Sequence, residues 1–566
     1  MARPAALAAS ALSSALTSGH PWRIIHRPVL ETILNNFANH LRVPQPLLLH
    51  GPRGVGKTTL LLHRLLPEWN NGPHVTGYVN FAGSTPVPWT SSPPAELSSL
   101  TSRLERELEA MAERGVRLGT IGSASVFSAL NKWHGVGTAL RRIIGPGRLT
   151  KRDESASESA LWNKALLVFT ARIGEAEIKT ALGETSLERS CSPEESAFTR
   201  EAVIALRLAK EVIEMHNEWR RESVRHLNST GRFSRTLANS GTDWPCLLLQ
   251  ILSDAAEVDF FQPKLVINSI DILRKAVTTD DSTVPAAMYH DSLIWRVIEL
   301  GVNERCLPIF FVTSDSYYSY QAFMDFGFRD MFIFRETFGW THEQAKLHMV
   351  SEFFDESEWK VISEVLGPNP RHLSELYALK ETDPYQQRFE LIKRSNFEDI
   401  VDAYLAFLQV TEVNPAMESV LTILQKFASD ARRGKIPKDQ LHFGAPWRHP
   451  PRTDDPVANS KWAKIQLMDF VQSLVNTEFG VNYLADRSFE ILDDPSLSGM
   501  LEVGLLYQQR DPSFIRPISV GIQRCLVRWL VQTRMEMSLQ DRLSFSWQRI
   551  IRGRSYRHLM KEIGYK

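Results

Sequence analysis

Short apolar runs alternate with longer stretches of helical periodicity along this chain of 566 residues. Five such runs predict strands, within 46–50, 76–83, 263–276, 307–315 and 331–340. Strands buried on both faces are apolar throughout, as in a parallel sheet covered by helices. The last run, "MFIFRETFGW", is short and typical of an edge strand. The pattern therefore predicts an α/β fold built on a parallel sheet.

A long stretch with helical periodicity separates the second predicted strand from the third. From about 90 to 243 the sequence is charged and helical, with Ser/Gly/Pro breaks, and its clearest helix is "REAVIALRLAKEVIEMHNEWRRES" at 200–223. We interpret 90–243 as a large helical insertion. After the sheet, Thr341 and Gln344 have the spacing of a capping box at a helix start. The chain beyond 386 is mostly helical, with a hairpin predicted at 505–519 around the turn "RDPS".

The first predicted strand runs directly into a phosphate-binding motif. Residues 50–59 are "HGPRGVGKTT", and Gly51, Gly56, Lys57 and Thr58 fit G-x-x-x-x-G-K-[ST] without a gap. Glycines let the backbone aim its N–H groups at phosphate oxygens, the lysine reaches the β- and γ-phosphates, and the hydroxyl binds Mg²⁺. The expected nucleotide-binding residues are Gly51, Pro52, Arg53, Gly54, Val55, Gly56, Lys57, Thr58 and Thr59.

A carboxylate for Mg²⁺ and for water should follow the third strand. The apolar run Leu265–Ile267 ends instead in Asn268, and the next residue is Ser269. The nearest acid is Asp271, three residues beyond Asn268. Asp271 is therefore the candidate catalytic carboxylate and, with Thr58, the candidate Mg²⁺ ligand. It can align a water only if the turn after the strand brings it near the γ-phosphate. A buried strand followed by an ordinary turn would have a similar sequence.

These elements, in this order, resemble the AAA+-related STAND and archaeal-type ATPases, which are similar to the replication-initiator ATPases. The resemblance covers roughly 22–83 and 245–385. It implies that "RIIHRPVLETILNNF", which contains Arg27 and Glu31, flanks the adenine of ATP. "LVINSIDIL" resembles the Walker B pattern, although Asn268 stands at its first acid. The cofactors implied are ATP and Mg²⁺.

The resemblance also assigns polar residues downstream of the third strand. Thr313 and Ser314 match sensor 1, so that Ser314 and Asn268 join Asp271 as candidate catalytic residues. "GPNPRHL" resembles the sensor 2 motif of a helical lid, which makes Arg371 the candidate γ-phosphate sensor. Arg329 stands where an arginine finger is expected.

The resulting fold class is an α/β P-loop NTPase core with a helical insertion, a helical lid and a mostly α C-terminal region that includes a possible winged helix. Because such a chain exceeds one domain, we divide it into an N-terminal extension 1–21, a core at 22–89 and 244–345, the insertion 90–243, the lid 346–385 and the C-terminal region 386–566.

Composition limits the partners. Lys plus Arg number 65 and Asp plus Glu number 65, so no net field favours nucleic acid or a membrane. Four widely spaced cysteines indicate a reducing, intracellular compartment, and no membrane span is predicted. The Ser-rich N-terminus, with Arg3 and no acid before Glu31, fits either an organellar targeting peptide or a frayed tail, so the cytoplasm and an organelle both remain open.

Three functions are compatible with these features. The first is an ATP-binding switch with slow hydrolysis that engages a protein partner. The second is an initiator-like ATPase that binds nucleic acid. The residues 542–566 support it with seven Lys/Arg and one acid, but "DDPSLSGMLE" before the hairpin has no basic residue to enter a groove, so nucleic acid is not favoured. The third is a pseudo-ATPase with structural ATP. The oligomeric state is left open.

Overall fold

The fold is known from a computed structural model. The structure describes residues 25–83, 89–91, 94–145, 156–172, 193–225, 234–257, 260–278, 284–318, 322, 331–350, 352–381, 397–436, 450–451, 455–475, 481–482, 494–510 and 514–551. The N-terminal extension, Arg329 and most of the basic C-terminal tail lie outside these ranges.

A parallel sheet forms the centre of the α/β fold, as the apolar runs predict. Its five strands lie in the order β2-β3-β4-β1-β5. Because all five run in one direction, their carboxyl ends meet at one edge, where His50 pairs with Thr313 and Asn268 with Val312. The strands are β1 Leu47–His50, β2 Val75–Asn80, β3 Pro263–Asn268, β4 Ile309–Thr313 and β5 Ile333–Glu336.

The two faces of the sheet pack against different helices, since alternate residues of a strand point to opposite faces. Leu47 and Leu49 belong to one apolar cluster and Leu48 to another. The first cluster is closed by helices α1 (Pro28–Ala38), α2 (Lys57–Leu60) and α3 (Leu66–Trp69), the last two joined by a π-helical turn at Leu61–Leu65.

The second face is covered by the helices that connect β2 to β3. Their buried side chains and the sheet share one apolar cluster, so these helices form part of the core's own packing. They are α4 Leu97–Arg117, α5 Ser123–Trp133, α6 Gly137–Ile144, α7 Glu158–Thr170, α8 Pro193–Arg225, α9 Ser234–Gly241 and α10 Asp243–Asp254. Between β3 and β4 follow α11 Ile270–Arg274 and α12 Ala286–Glu304.

The chain after the sheet is mostly helical and has an apolar cluster of its own. The expected capping box is confirmed, since Gln344 N donates to Thr341 Oγ1 and Thr341 N to Gln344 Oε1. The helices are α13 His342–Met349, α14 Glu356–Val365, α15 Pro370–Lys380, α16 Phe397–Leu408, α17 Asn414–Arg432 (joined to α16 by a π-helical turn at Gln409–Val413), α18 Pro456–Val475, α19 Pro495–Glu502, α20 Val520–Glu536 and α21 Leu539–Ile551.

The predicted hairpin is also confirmed. Strands β7 (Leu506–Gln509) and β8 (Phe514–Pro517) pair antiparallel, and β6 (Val481–Asn482) adds a short third strand in the order β6-β8-β7. Within the described ranges, no helix is both long enough and apolar enough to cross a membrane.

Candidate functional site

The glycine-rich loop lies between β1 and α2 at the carboxyl edge of the sheet. Gly54 and Gly56 both have φ of +82°, a left-handed conformation that favours glycine. Gly51 is required for a different reason, because a Cβ there would lie 2.0 Å from the Thr337 carbonyl oxygen. The three glycines thus shape a loop whose backbone opens toward the start of a helix, which is an arrangement that suits a phosphate.

Lys57 lies beneath this loop and is buried. Its Nζ donates to the carbonyl oxygens of Gly51 and Pro52, at 2.7 and 2.9 Å, and to Ser314 Oγ at 2.8 Å. Burial lowers the pKa of Lys57 to about 7, and the guanidinium of Arg53 acts in the same direction. A buried ammonium gains from an anion, so this lysine is suited to a phosphate group.

Three polar side chains from three elements meet beside the helix start. Thr58 Oγ1 lies 3.3 Å from Asn268 Oδ1 and hydrogen-bonds to it. Asn268 Nδ2 in turn donates to Asn80 Oδ1 at 3.1 Å. The hydroxyl and the amide oxygen are neutral ligands, which Mg²⁺ accepts less readily than carboxylates. Thr58 and Asn268 therefore fit a Mg²⁺ ion held mainly by phosphate and water oxygens.

Asp271 lies behind this group. Its Oδ1 accepts a hydrogen bond of 2.7 Å from Thr313 Oγ1, and Thr313 and Ser269, not Asp271, line the cavity. Burial, with Asp315 nearby, raises the pKa of Asp271. The backbone explains this placement, because Ser269 has φ of +58° and turns the chain sharply into α11. Asp271 thus contacts the sensor-like Thr313 instead of facing the loop.

The loop opens into a cavity of about 540 Å³. Its lining includes the polar Thr58, Asn268 and Ser314 and the apolar Ile25, Trp340 and Pro370. Cavities of about 300–1,000 Å³ that combine an apolar part with a few convergent polar groups are typical of small-molecule sites. The size and mixed lining of this cavity therefore suit a small molecule that has both polar and apolar parts.

The segment predicted to flank the base does reach this cavity. Arg27 donates to Thr337 Oγ1 at 3.1 Å and to the Val55 carbonyl oxygen of the loop. Its own backbone N–H donates to Glu31 Oε1 at 2.7 Å, which fixes the start of α1. Burial lowers the pKa of Arg27 to about 10, a value at which the side chain stays charged at neutral pH. Arg27 thus ties α1 to the glycine-rich loop.

Helix α15 closes the cavity from the opposite side. Asn369 caps this helix and its Nδ2 donates to the Arg53 carbonyl oxygen at 3.3 Å. Arg371 N donates to the Gly54 carbonyl oxygen at 3.2 Å, so the helix start touches the loop directly. The Arg371 side chain lines the cavity but is held by Glu375, whose Oε1 lies 2.6 Å from Arg371 Nε.

Two features of the site were not expected from the sequence. Trp89 lies under the guanidinium of Arg371, 4.5 Å from ring centroid to the guanidinium carbon. On the other side of the loop, Tyr507 of β7 contacts His50 Nδ1 at 2.8 Å and donates to Glu336 Oε1 at 2.8 Å. Both aromatics carry a polar group, which usually finds a hydrogen-bond partner when buried, but nothing in the sequence around either residue identifies that partner.

The structure brings most of the predicted site residues together. The nine loop residues are described, and Lys57, Thr58, Asn268, Ser314 and Arg371 all line the same cavity. Arg53 is also among the lining residues, and its side chain donates to the Thr90 carbonyl oxygen. The described residues contain no cluster of three or more His, Cys, Asp or Glu that could hold a metal ion.

Comparison with protein-family models and with curated proteins finds no match to this chain.

Proposed function

We propose that this chain is an ATP-binding molecular switch related to the AAA+ and STAND ATPases, with slow hydrolysis, that engages a protein partner. The observation that carries the proposal is the position of Lys57. Its ammonium lies buried beneath a glycine-shaped loop at the end of a cavity large enough for a nucleotide. A buried cation beneath a glycine-shaped loop at a helix start suits the β- and γ-phosphates better than it suits a neutral ligand.

Slow hydrolysis is the second part of the proposal. When bound, Mg²⁺ would neutralise charge that develops on the transferred phosphoryl group. Beside the helix start the described residues place the neutral oxygens of Thr58 and Asn268, while Ser269 at the neighbouring position is no base at neutral pH. Asp271 is engaged with Thr313. A site with this composition would orient a nucleotide more effectively than it would activate a water.

The switch would act through α15 and the C-terminal region. Arg371 and Asn369 contact the loop, and Tyr507 contacts the end of β1, so nucleotide binding in the loop can bias the arrangement of both. The small β6-β8-β7 sheet and the helices around it would be the winged-helix-like part of this region. We propose the C-terminal region and the helices of 97–254 as the surfaces for a protein partner.

Isothermal titration with Mg²⁺ and ATP tests the proposal. Lys57→Ala should weaken ATP affinity at least about tenfold, because a charge-assisted bond to phosphate contributes about 1.5–3 kcal/mol. Lys346→Ala is the matched control, since Lys346 pairs with Glu356 on the lid surface, away from the cavity. Thermal unfolding of each variant shows that the fold is intact. Equal ATP affinities for the wild type and Lys57→Ala would overturn the proposal.

A further inference from the structure

The guanidinium of Arg371 is held by an ion pair and by a cation–π contact. Its Nε is bonded to Glu375 Oε1 at 2.6 Å, one helical turn further along α15. Its guanidinium lies over the ring of Trp89 at 4.5 Å. These contacts hold the guanidinium at the wall of the cavity, and it can reach further inward only if they break.

Glu375 is itself held in one orientation. Its second carboxylate oxygen, Oε2, accepts from Trp89 Nε1 at 3.0 Å and from Tyr404 OH at 2.6 Å. Together with Arg371, three donors thus converge on one carboxylate whose side chain is only 10% exposed. Such a network keeps the carboxylate in place because moving it would leave buried donors unpaired.

Trp89, which contacts both Arg371 and Glu375, is itself buried and held in place. It is 1% exposed and stacks on His372 with ring centroids 4.1 Å apart. His372 is fixed in turn by Tyr404 and by Ser519 at the start of α20. Burial lowers the pKa of His372 well below its usual range, so the ring stays neutral. A rigid aromatic platform therefore lies next to the nucleotide cavity.

We infer that Glu375 and Trp89 are positioning residues that hold Arg371 at the wall of the cavity and thereby lower the affinity of the site for ATP relative to ADP. The inference rests on the proposed function. On this inference a γ-phosphate competes with Glu375 for the guanidinium of Arg371, and the negative charge of Glu375, which also lines the cavity, opposes that phosphate. ADP makes no such demand. Glu375 therefore lowers the affinity for ATP relative to ADP.

Glu375→Gln tests this directly, because the amide keeps the shape of the side chain and removes its charge. ATP affinity should rise at least about fivefold, while ADP affinity should stay within about twofold. In an Arg371→Ala background the gain from Glu375→Gln should vanish, since the effect acts through Arg371. An equal gain for ATP and ADP, or a gain that persists without Arg371, would overturn the inference.

Trp89 fluorescence gives a second measurement that needs no change at Glu375. Release of Arg371 from the ring should alter the Trp89 emission when ATP binds but not when ADP binds. Trp89→Phe, which keeps an aromatic face, isolates this signal from the other tryptophans by difference. An ATP-induced change that is the same in Trp89→Phe would overturn the inference as well.

Failure of the inference is distinguishable from failure of the proposed function. If ATP binds and Lys57→Ala removes binding, the proposed function stands whatever Glu375→Gln does. If the wild type binds neither nucleotide, or binds them without dependence on Lys57, the proposed function fails and the inference fails with it.

Discussion

Lys57 should take up a proton when ATP binds above neutral pH. Burial, with Arg53 nearby, lowers the pKa of Lys57 to about 7 in the ligand-free protein. Phosphate oxygens bring negative charge next to the ammonium, and an opposite charge favours the protonated form of a lysine. On the proposed function, bound ATP should therefore return the pKa of Lys57 to its ordinary value of about 10.

The size of the effect follows from these two values. At about pH 8, a group with a pKa of about 7 is roughly one-tenth protonated, and one with a pKa of about 10 is almost fully protonated, so that ATP binding takes up about 0.9 proton. Affinity should fall as pH rises from about 7 to 10, by at most about tenfold per pH unit. Below that window Lys57 is protonated with and without ATP, so its titration should add no pH dependence. His50 does not interfere, because burial lowers its pKa to about 3.

Titration calorimetry at about pH 8 in two buffers of different ionisation enthalpy measures the number of protons taken up. Lys57→Arg is the matched control, because a guanidinium stays protonated in both states and its uptake should be close to zero. Wild-type protein that binds ATP in a Lys57-dependent manner, yet takes up less than about 0.2 proton, would refute the reasoning.

Asn268→Asp should raise ATP turnover, because a carboxylate beside Thr58 binds Mg²⁺ better than an amide does, whereas Asp271→Asn should lower turnover by weakening the charge-assisted hydrogen bond from Thr313; phosphate release measures both. Gly54→Ala should weaken ATP binding and cost about 1–3 kcal/mol of stability, measured by denaturant unfolding, because a Cβ there would lie 2.6 Å from Asn369 Oδ1 at a left-handed φ. Any nucleic-acid binding through the basic segment 549–557 should be weak, sequence-blind and steeply salt-dependent in gel shifts.

Each of these three predictions would be contradicted by a specific result. Brisk hydrolysis by the wild type that survives Asp271→Asn would show that the catalytic carboxylate lies elsewhere. Wild-type affinity and stability in Gly54→Ala would show that the loop relaxes without strain. A sequence-selective complex that tolerates salt would favour the initiator-like function over the switch.

The sheet was predictable because buried parallel strands leave a local signature. Strands β1, β3 and β4 are buried along their whole length, and the residues at the strand ends, Asn268 and Thr313 among them, come together as the common direction of the strands requires. The hairpin followed from a short turn between two apolar segments. Both inferences use residues that are neighbours in sequence.

The second half of the site was not predictable in this way. Trp89 and Glu375 lie 286 residues apart in sequence, and no local pattern relates them. The position of Asp271 depended on Ser269, whose φ of +58° is uncommon for a residue other than glycine. A spacing of three residues after a strand fixes where Asp271 lies along the chain, but the direction of the turn decides what it faces.

If the site hydrolyses ATP slowly, as proposed, the contacts around the loop explain how nucleotide binding alone could still operate a switch. His50, at the end of β1, contacts Tyr507 of the C-terminal hairpin, while Gly54, inside the loop, contacts Arg371 of α15. Tyr507 and Arg371 lie on separate parts of the chain, and both contact residues 50–54, the segment that would contact a bound phosphate. A ligand can shift such an arrangement only by its difference in affinity for the two states, which requires binding and not turnover. On the proposed function, a long-lived nucleotide therefore serves the switch better than a rapidly hydrolysed one.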